Sequence, residues 1–143
     1  AISAVGLFIK LSEKESVLFD ENLGLGAKFG SCEEIDLVSR MLYLDKKAFY
    51  SQNFYIFHPK EFISNDLDKY IVKSLGYGAY YKKNFMISKN IFNEMLMNIF
   101  VKPSIAILYY IAIFDFYNSK RHVFGLMYKI KGFINYKCWI ILF

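Results

Sequence analysis

The chain has 143 residues, of which 55% are apolar, 20% aromatic and 22% charged. This length suits one domain, and the apolar side chains are sufficient for a core, which excludes a disordered chain. Two cysteines, Cys32 and Cys138, are too few and too far apart for a disulfide framework or a zinc-ligand cluster. We therefore predict no disulfides. The first residues lack a starting Met and a basic signal-peptide stretch, so we expect either a fragment of a longer protein or a gene product that has lost its beginning.

The net charge of +5 is placed unevenly along the chain. Residues 1–117 carry equal numbers of acidic and basic side chains, so their charges cancel. The whole excess follows Asp115, with no acidic residue among its members: Lys120, Arg121, Lys129, Lys131 and Lys137. A basic, aromatic tail on a neutral body indicates an anionic partner. We predict membrane lipid rather than nucleic acid.

The first half of the chain predicts short strands around one well-marked helix. Residues 4–10 form an apolar run typical of a buried strand. A loop with three glycines, residues 20–32, leads to a predicted helix over residues 33–44. Residues 48–52 and 54–57 are expected to be two further extended segments.

The start of the predicted helix 33–44 has a conventional structural interpretation. Ser31 and Glu34 have the spacing of a capping box. Carboxylates in the first turn, here Glu33 and Glu34, also complement the positive end of the helix dipole. Further along the same helix, Arg40 is predicted to pair with Asp36 at the i, i+4 spacing. On this interpretation the two glutamates only begin a helix.

The second half of the chain is predicted to be helical. Residues 65–68 predict the cap of a helix that runs to about Leu75 and is interrupted by Gly76 and Gly78.

Three further helices are predicted over residues 88–101, 103–117 and 120–136, the second of them starting with a proline at its first position. The longest uncharged run, from Pro103 to Phe114, has 12 residues. That is short of the roughly 20 residues that a membrane-spanning helix needs. Amphipathic helices in the membrane interface are therefore expected. The alternative is that these helices pack on the rest of the chain or on a partner.

Three pieces of sequence stand in an informative order. The first is Phe-Asp-Glu-Asn-Leu-Gly-Leu-Gly at residues 19–26, the second is the pair Glu33-Glu34, and the third is Phe-Tyr-Ile-Phe-His-Pro at residues 54–59. This order resembles the acceptor-side half of family 2 glycosyltransferases, which are inverting, nucleotide-sugar-dependent enzymes of the GT-A fold. The resemblance covers about residues 4–60.

The resemblance implies an α/β fold. Residues 1–84 would be a truncated GT-A-like remnant, the C-terminal half of a glycosyltransferase domain with a few short strands and helices. Residues 85–143 would be an α-helical, amphipathic tail that associates with the membrane.

The resemblance also implies catalytic roles for the acidic pair. The second member of the family's pair is the base that takes the proton of the acceptor hydroxyl, which makes Glu34 the candidate base. Glu33 is the second candidate if Glu34 is held in the capping box. The family usually has Asp at the second position, so Glu34 departs from its pattern by one methylene group.

Further residues are implied to bind the substrate and a metal ion. The acceptor site would be shaped by loop residues Asp20, Glu21, Gly24, Gly26 and Gly30, for which a flexible connection is the alternative. His58 would help to hold a divalent metal, Mg²⁺ or Mn²⁺, or the diphosphate of the donor; otherwise it is a strand-end histidine. The metal is expected only together with the family's Asp-x-Asp half, because no D-x-D precedes residue 33.

These expectations combine into one predicted function. The chain would be part of an inverting glycosyltransferase of bacterial surface polysaccharide or glycan synthesis, and it would be inactive without its donor-binding half. Its partners would be a nucleotide-sugar donor, a glycan or lipid-linked acceptor, and the cytoplasmic face of the membrane, bound peripherally through residues 88–143. One alternative is a non-catalytic interaction or membrane-docking module derived from such an enzyme. Another is a small integral membrane protein whose helices after residue 87 span the bilayer.

Overall fold

The computed structural model of the chain describes residues 19–47, 49 and 67–137. Four helices follow one another in this part of the chain: α1 (Glu33–Tyr43), α2 (Leu67–Asn84), α3 (Lys89–Ala112) and α4 (Phe116–Asn135). Together they account for 72% of the described residues.

The predicted α/β fold is wrong for the described part of the chain, which is helical and contains no strand or sheet. A GT-A-like remnant with strands is therefore not what these residues form. The apolar faces of the helices bury one another, and aromatic residues that favour strands pack between them because tertiary contacts override propensity. Apart from position 49, the predicted strands over residues 4–10, 48–52 and 54–57 lie outside the described residues.

Helix α1 confirms the predicted helix of residues 33–44, but not its predicted cap. The N-cap residue is Cys32, whose backbone is left-handed (φ 77°) and whose side chain makes no capping hydrogen bond. The hydroxyl of Ser31 instead donates a hydrogen bond to the backbone carbonyl of Lys73 in α2, at 3.3 Å. The predicted capping box is therefore absent, because the loop before α1 packs on α2.

Helix α2 continues through Gly76 and Gly78, where the sequence predicted an interruption. A methyl group at Gly78 would lie 1.9 Å from the carbonyl oxygen of Lys129 in α4. A methyl group at Gly132 in α4 would likewise lie 2.0 Å from the carbonyl oxygen of Leu75. The glycines therefore allow the backbones of α2 and α4 to touch, and this packing offsets the roughly 1 kcal/mol that glycine costs inside a helix.

The helices predicted on either side of Pro103 form one continuous helix, α3. A π-helical turn, Met97–Val101, ends two residues before this proline. Proline has no N–H group, and its ring crowds the carbonyl group four residues earlier. A wider turn with i to i+5 hydrogen bonds accommodates both effects, so the helix does not break.

Helix α4 confirms the predicted helix of residues 120–136 and begins earlier, at Phe116. The side chain of Asp115 caps it by accepting a hydrogen bond from the backbone N–H of Asn118, at 3.0 Å. The core lies between α2 and α4, with α1 and the first half of α3 at its edges. Its two clusters of buried side chains are Cys32, Tyr80, Tyr81, Met95 and Ile99, and Leu23, Phe29, Ala79 and Tyr136.

Candidate functional site

A buried carboxylate, Asp36 in α1, lies at the centre of a network of charges. Its Oδ2 atom accepts hydrogen bonds from Arg40 Nε and Lys83 Nζ, each at 2.9 Å. Its Oδ1 atom accepts one from Asn84 Nδ2, also at 2.9 Å. A carboxylate that is removed from water costs several kcal/mol unless it is paired, and these partners make its burial possible. The predicted pairing of Asp36 with Arg40 is confirmed.

Lys83 extends this network to the loop before α1. Its Nζ atom lies 2.7 Å from Oδ2 of Asp20 as well as contacting Asp36. Tyr136, which follows α4, donates its hydroxyl to the same oxygen of Asp20. The backbone N–H of Asn22 donates to Oδ1 of Asp20 at 2.9 Å. One ammonium group thus joins the loop, α1 and α2, and the tyrosine adds the end of α4.

The pKa of Asp20 is held well below its usual range. Burial on its own would raise this pKa, but the hydrogen bonds from Lys83, Tyr136 and Asn22 stabilise the ionised form and outweigh burial. Asp20 is therefore charged at neutral pH.

The loop brings one of its predicted site residues directly against the acidic pair. A methyl group at Gly24 would lie 2.8 Å from the carboxyl carbon of Glu33, and the backbone there is left-handed (φ 102°). The left-handed backbone favours a glycine at this position. Gly30 lies against the side chain of Val72 in α2, whereas Gly26 has open space around it and Glu21 is exposed.

The acidic pair lies half-buried at the first turn of α1. Just before it, burial raises the pKa of Cys32 to about 12, with a further contribution from the charges of Glu34 and Glu33. The Cys32 side chain is therefore a neutral thiol that packs in the core, not a nucleophile. The chemistry available at this helix start is that of carboxylates.

The described residues do not provide a metal site. No three His, Cys, Asp or Glu side chains in residues 19–47 and 67–137 are grouped to hold a metal ion. Asp20 and Asp36 are both engaged by Lys83. The predicted ligand His58 lies outside the described residues, so Mg²⁺ or Mn²⁺ stays a prediction.

Sequence reasoning missed Lys83, Asn84 and Tyr136. Lys83 contacts Asp36 across 47 positions of the chain, and Tyr136 contacts Asp20 across 116. Nothing in the local sequence around them distinguishes these residues from surface positions, since the signal lies in the packing of α2 against the loop.

No family model, curated protein or solved structure matches the chain. The chemistry of the site is therefore interpreted from its own geometry. The described residues place two half-buried glutamates beside a glycine-containing loop, on a helix that a buried ion network fixes in place.

Proposed function

We propose that the chain is the acceptor-side segment of an inverting glycosyltransferase, with Glu34 as the base and Glu33 as the second candidate. The observation that carries the proposal is the position of this pair on a helix anchored through the buried Asp36. Proton transfer from an acceptor hydroxyl requires a carboxylate held within hydrogen-bonding reach. Misplacing such a group by about 1 Å can reduce the rate about 100-fold, so a rigid support matters.

In the proposed reaction Glu34 accepts the proton of the acceptor hydroxyl. The acceptor oxygen forms a bond to the anomeric carbon of the donor sugar, and the bond from that carbon to the nucleotide diphosphate breaks. The configuration at this carbon inverts because attack and departure take place on opposite faces. The donor-binding half and any metal that comes with it belong to sequence other than the described residues.

The loop residues have a separate role in this proposal. Asp20 positions the loop through its bonds to Lys83 and Tyr136, and Gly24 lets the loop approach Glu33 closely. Glu21 and Gly26 are at the exposed turn of the loop, where an acceptor sugar can reach them. Asp20 therefore acts through loop position, not by touching the reacting atoms.

The test uses the chain within its complete reading frame, expressed in membranes that contain the native acceptors. Transfer is measured from radiolabelled nucleotide sugars. We expect Glu34→Gln to reduce transfer by about 10²- to 10⁴-fold, because it removes the base while keeping the size of the side chain. Asp45→Asn is the matched control, because Asp45 is exposed beyond the other end of α1 and its left-handed backbone (φ 56°) suits Asn.

Wild-type rates in both Glu33→Gln and Glu34→Gln would contradict the proposal. If the wild-type protein transfers no sugar from any donor, the alternative of a non-catalytic interaction module takes its place. A reduced rate in Asp45→Asn as well would show that the loss comes from the fold and not from the base.

A further inference from the structure

Helix α3 combines an apolar sequence with little burial. By length and composition it is able to cross a membrane, and it is the one helix among the described residues that passes this test. Only 17% of its most apolar 18-residue window is buried. A helix that is apolar all round is normally buried in a core or in a membrane. Met95 and Ile99 pack in the core, but many other apolar side chains of α3 are exposed.

Exposed apolar side chains occur at many positions of α3, among them Met97, Val101, Tyr109 and Ile111. Five others recur at steps of three to five residues along the helix. We call them the α3 face: Phe92, Leu96, Phe100, Ile105 and Leu108. Ile105 is 62% exposed and Leu108 is 68% exposed. Exposure continues beyond the helix into the turn that leads to α4, where Phe114 and Phe116 are also exposed.

Helix α4 carries exposed basic side chains. The ammonium group of Lys120 lies 5.7 Å from the centre of the Phe124 ring, and that of Lys131 lies 5.2 Å from the centre of the Tyr128 ring. Both lysines are exposed, and no acidic residue follows Asp115 in the chain. Lysines that lie along aromatic rings keep their charge in water, as they do at a lipid interface.

We propose that the α3 face docks in the plane of an anionic lipid leaflet. The apolar face supplies the buried area, and the uncompensated positive charge supplies the attraction to anionic lipid. The proposal stands independently of glycosyl transfer.

The packing of α4 argues for docking in the plane and against crossing. Tyr110 stacks on His122, and Lys129 Nζ donates to the carbonyl oxygen of Asn98 at 2.7 Å, so α4 runs antiparallel along α3. With 24 residues, α3 is about 36 Å long, and crossing the roughly 30 Å hydrocarbon core would place Lys102 near its middle. Helix α4 would carry Lys129 into the same region. Charged side chains at that depth are strongly unfavourable.

The first experiment measures co-sedimentation of the full chain with vesicles. We expect binding to phosphatidylglycerol–phosphatidylcholine vesicles and little binding to pure phosphatidylcholine. Leu108→Asp removes a buried contact with lipid and adds a negative charge, so the bound fraction should fall about tenfold or more. Leu25→Asp makes the same change at a loop position that is 96% exposed, and it should keep binding.

The second experiment measures how deep α3 lies in the lipid leaflet. Trp139→Phe removes the tryptophan of the wild-type chain, so that one introduced tryptophan gives all of the fluorescence signal. Tryptophan is placed at Phe92, Phe100 or Leu108, and its quenching by lipids brominated at different depths is compared. Docking in the plane predicts the same shallow depth at all three positions. A helix that crosses would place the residue at position 100 deepest, and that result would overturn the proposed orientation.

Three other outcomes would overturn the proposal. One is wild-type protein that stays in the supernatant with anionic vesicles. Another is equal binding to both kinds of vesicle, which would remove the role of anionic lipid. The third is a wild-type dimer that Leu108→Asp dissociates without changing vesicle binding, which would make a second copy of the chain the occupant of the α3 face. Unfolding in urea shows whether each variant is folded.

Discussion

The loop–α1 region and the α3 face differ in the kind of side chain that each one buries and exposes. Around α1, a charged side chain, Asp36, is completely buried, and its hydrogen-bonding groups are matched by donors from α1 and α2. On α3, apolar side chains such as Ile105 and Leu108 are exposed. The first region therefore finds its partners within the chain. In the second region apolar side chains are exposed, so substitutions in the two regions should have different consequences.

The largest effect on stability is expected from Asp36→Ala. This change leaves the amide of Asn84 without its buried acceptor and removes one of the two carboxylates that Lys83 contacts, and breaking a buried ion pair costs about 3–5 kcal/mol. The free energy of unfolding in urea measures it. Asp45→Asn, at an exposed position whose left-handed backbone suits Asn, should stay within about 0.5 kcal/mol of the wild type. Equal stability of the two variants would show that the network does not anchor α1.

The same chemical change in the two regions gives the most direct comparison. Leu37 in α1 has no exposed surface, so Leu37→Ala should destabilise the chain by about 2–5 kcal/mol. Leu108→Ala should change the free energy of unfolding by less than about 0.5 kcal/mol in the absence of lipid, because that side chain is exposed. Comparable losses in the two variants would mean that part of the chain covers the α3 face.

A smaller effect is expected where α2 and α4 touch. Gly78→Ala places a methyl group 1.9 Å from the carbonyl oxygen of Lys129, so the helices must separate, at a cost of about 1–3 kcal/mol. Thermal unfolding measures this cost. Asn93→Ala is the control, because it also introduces an alanine into a helix but at an exposed position of α3. It should leave the midpoint temperature of thermal unfolding nearly unchanged. A more stable Gly78→Ala would contradict the close approach of the two helices.

The features that the sequence predicted correctly depend on neighbours along the chain. Helix 33–44 follows from apolar periodicity, and the pair of Asp36 with Arg40 follows from the i, i+4 spacing. The basic helix that begins at Phe116 has the same kind of local signal. Each of these needs only one or two helical turns to be specified.

The features that the sequence did not predict depend on contacts between distant segments. Gly78 breaks helices in isolation, yet here it serves the contact with Lys129, which no local pattern reveals. The bonds of Lys83 to Asp20 and Asp36 arise only once α2 packs on the loop. The α/β fold was implied by a resemblance and not by local pattern, and the helical packing of the described residues corrects it.

The smallest effect is expected from Tyr136→Phe, which removes one hydrogen bond to the Asp20 carboxylate and should cost about 1 kcal/mol at neutral pH. The depressed pKa of Asp20 gives this cost a pH dependence. The stabilisation that ionised Asp20 provides is present above its pKa in the unfolded chain, about 3.9, and is lost as the pH falls through its pKa in the folded chain. Wild type and variant should therefore converge in acid, as measured by urea unfolding across pH. Tyr43→Phe, at an exposed position, should follow the wild type throughout, and a pH-independent difference for Tyr136→Phe would exclude Asp20 as the partner that matters.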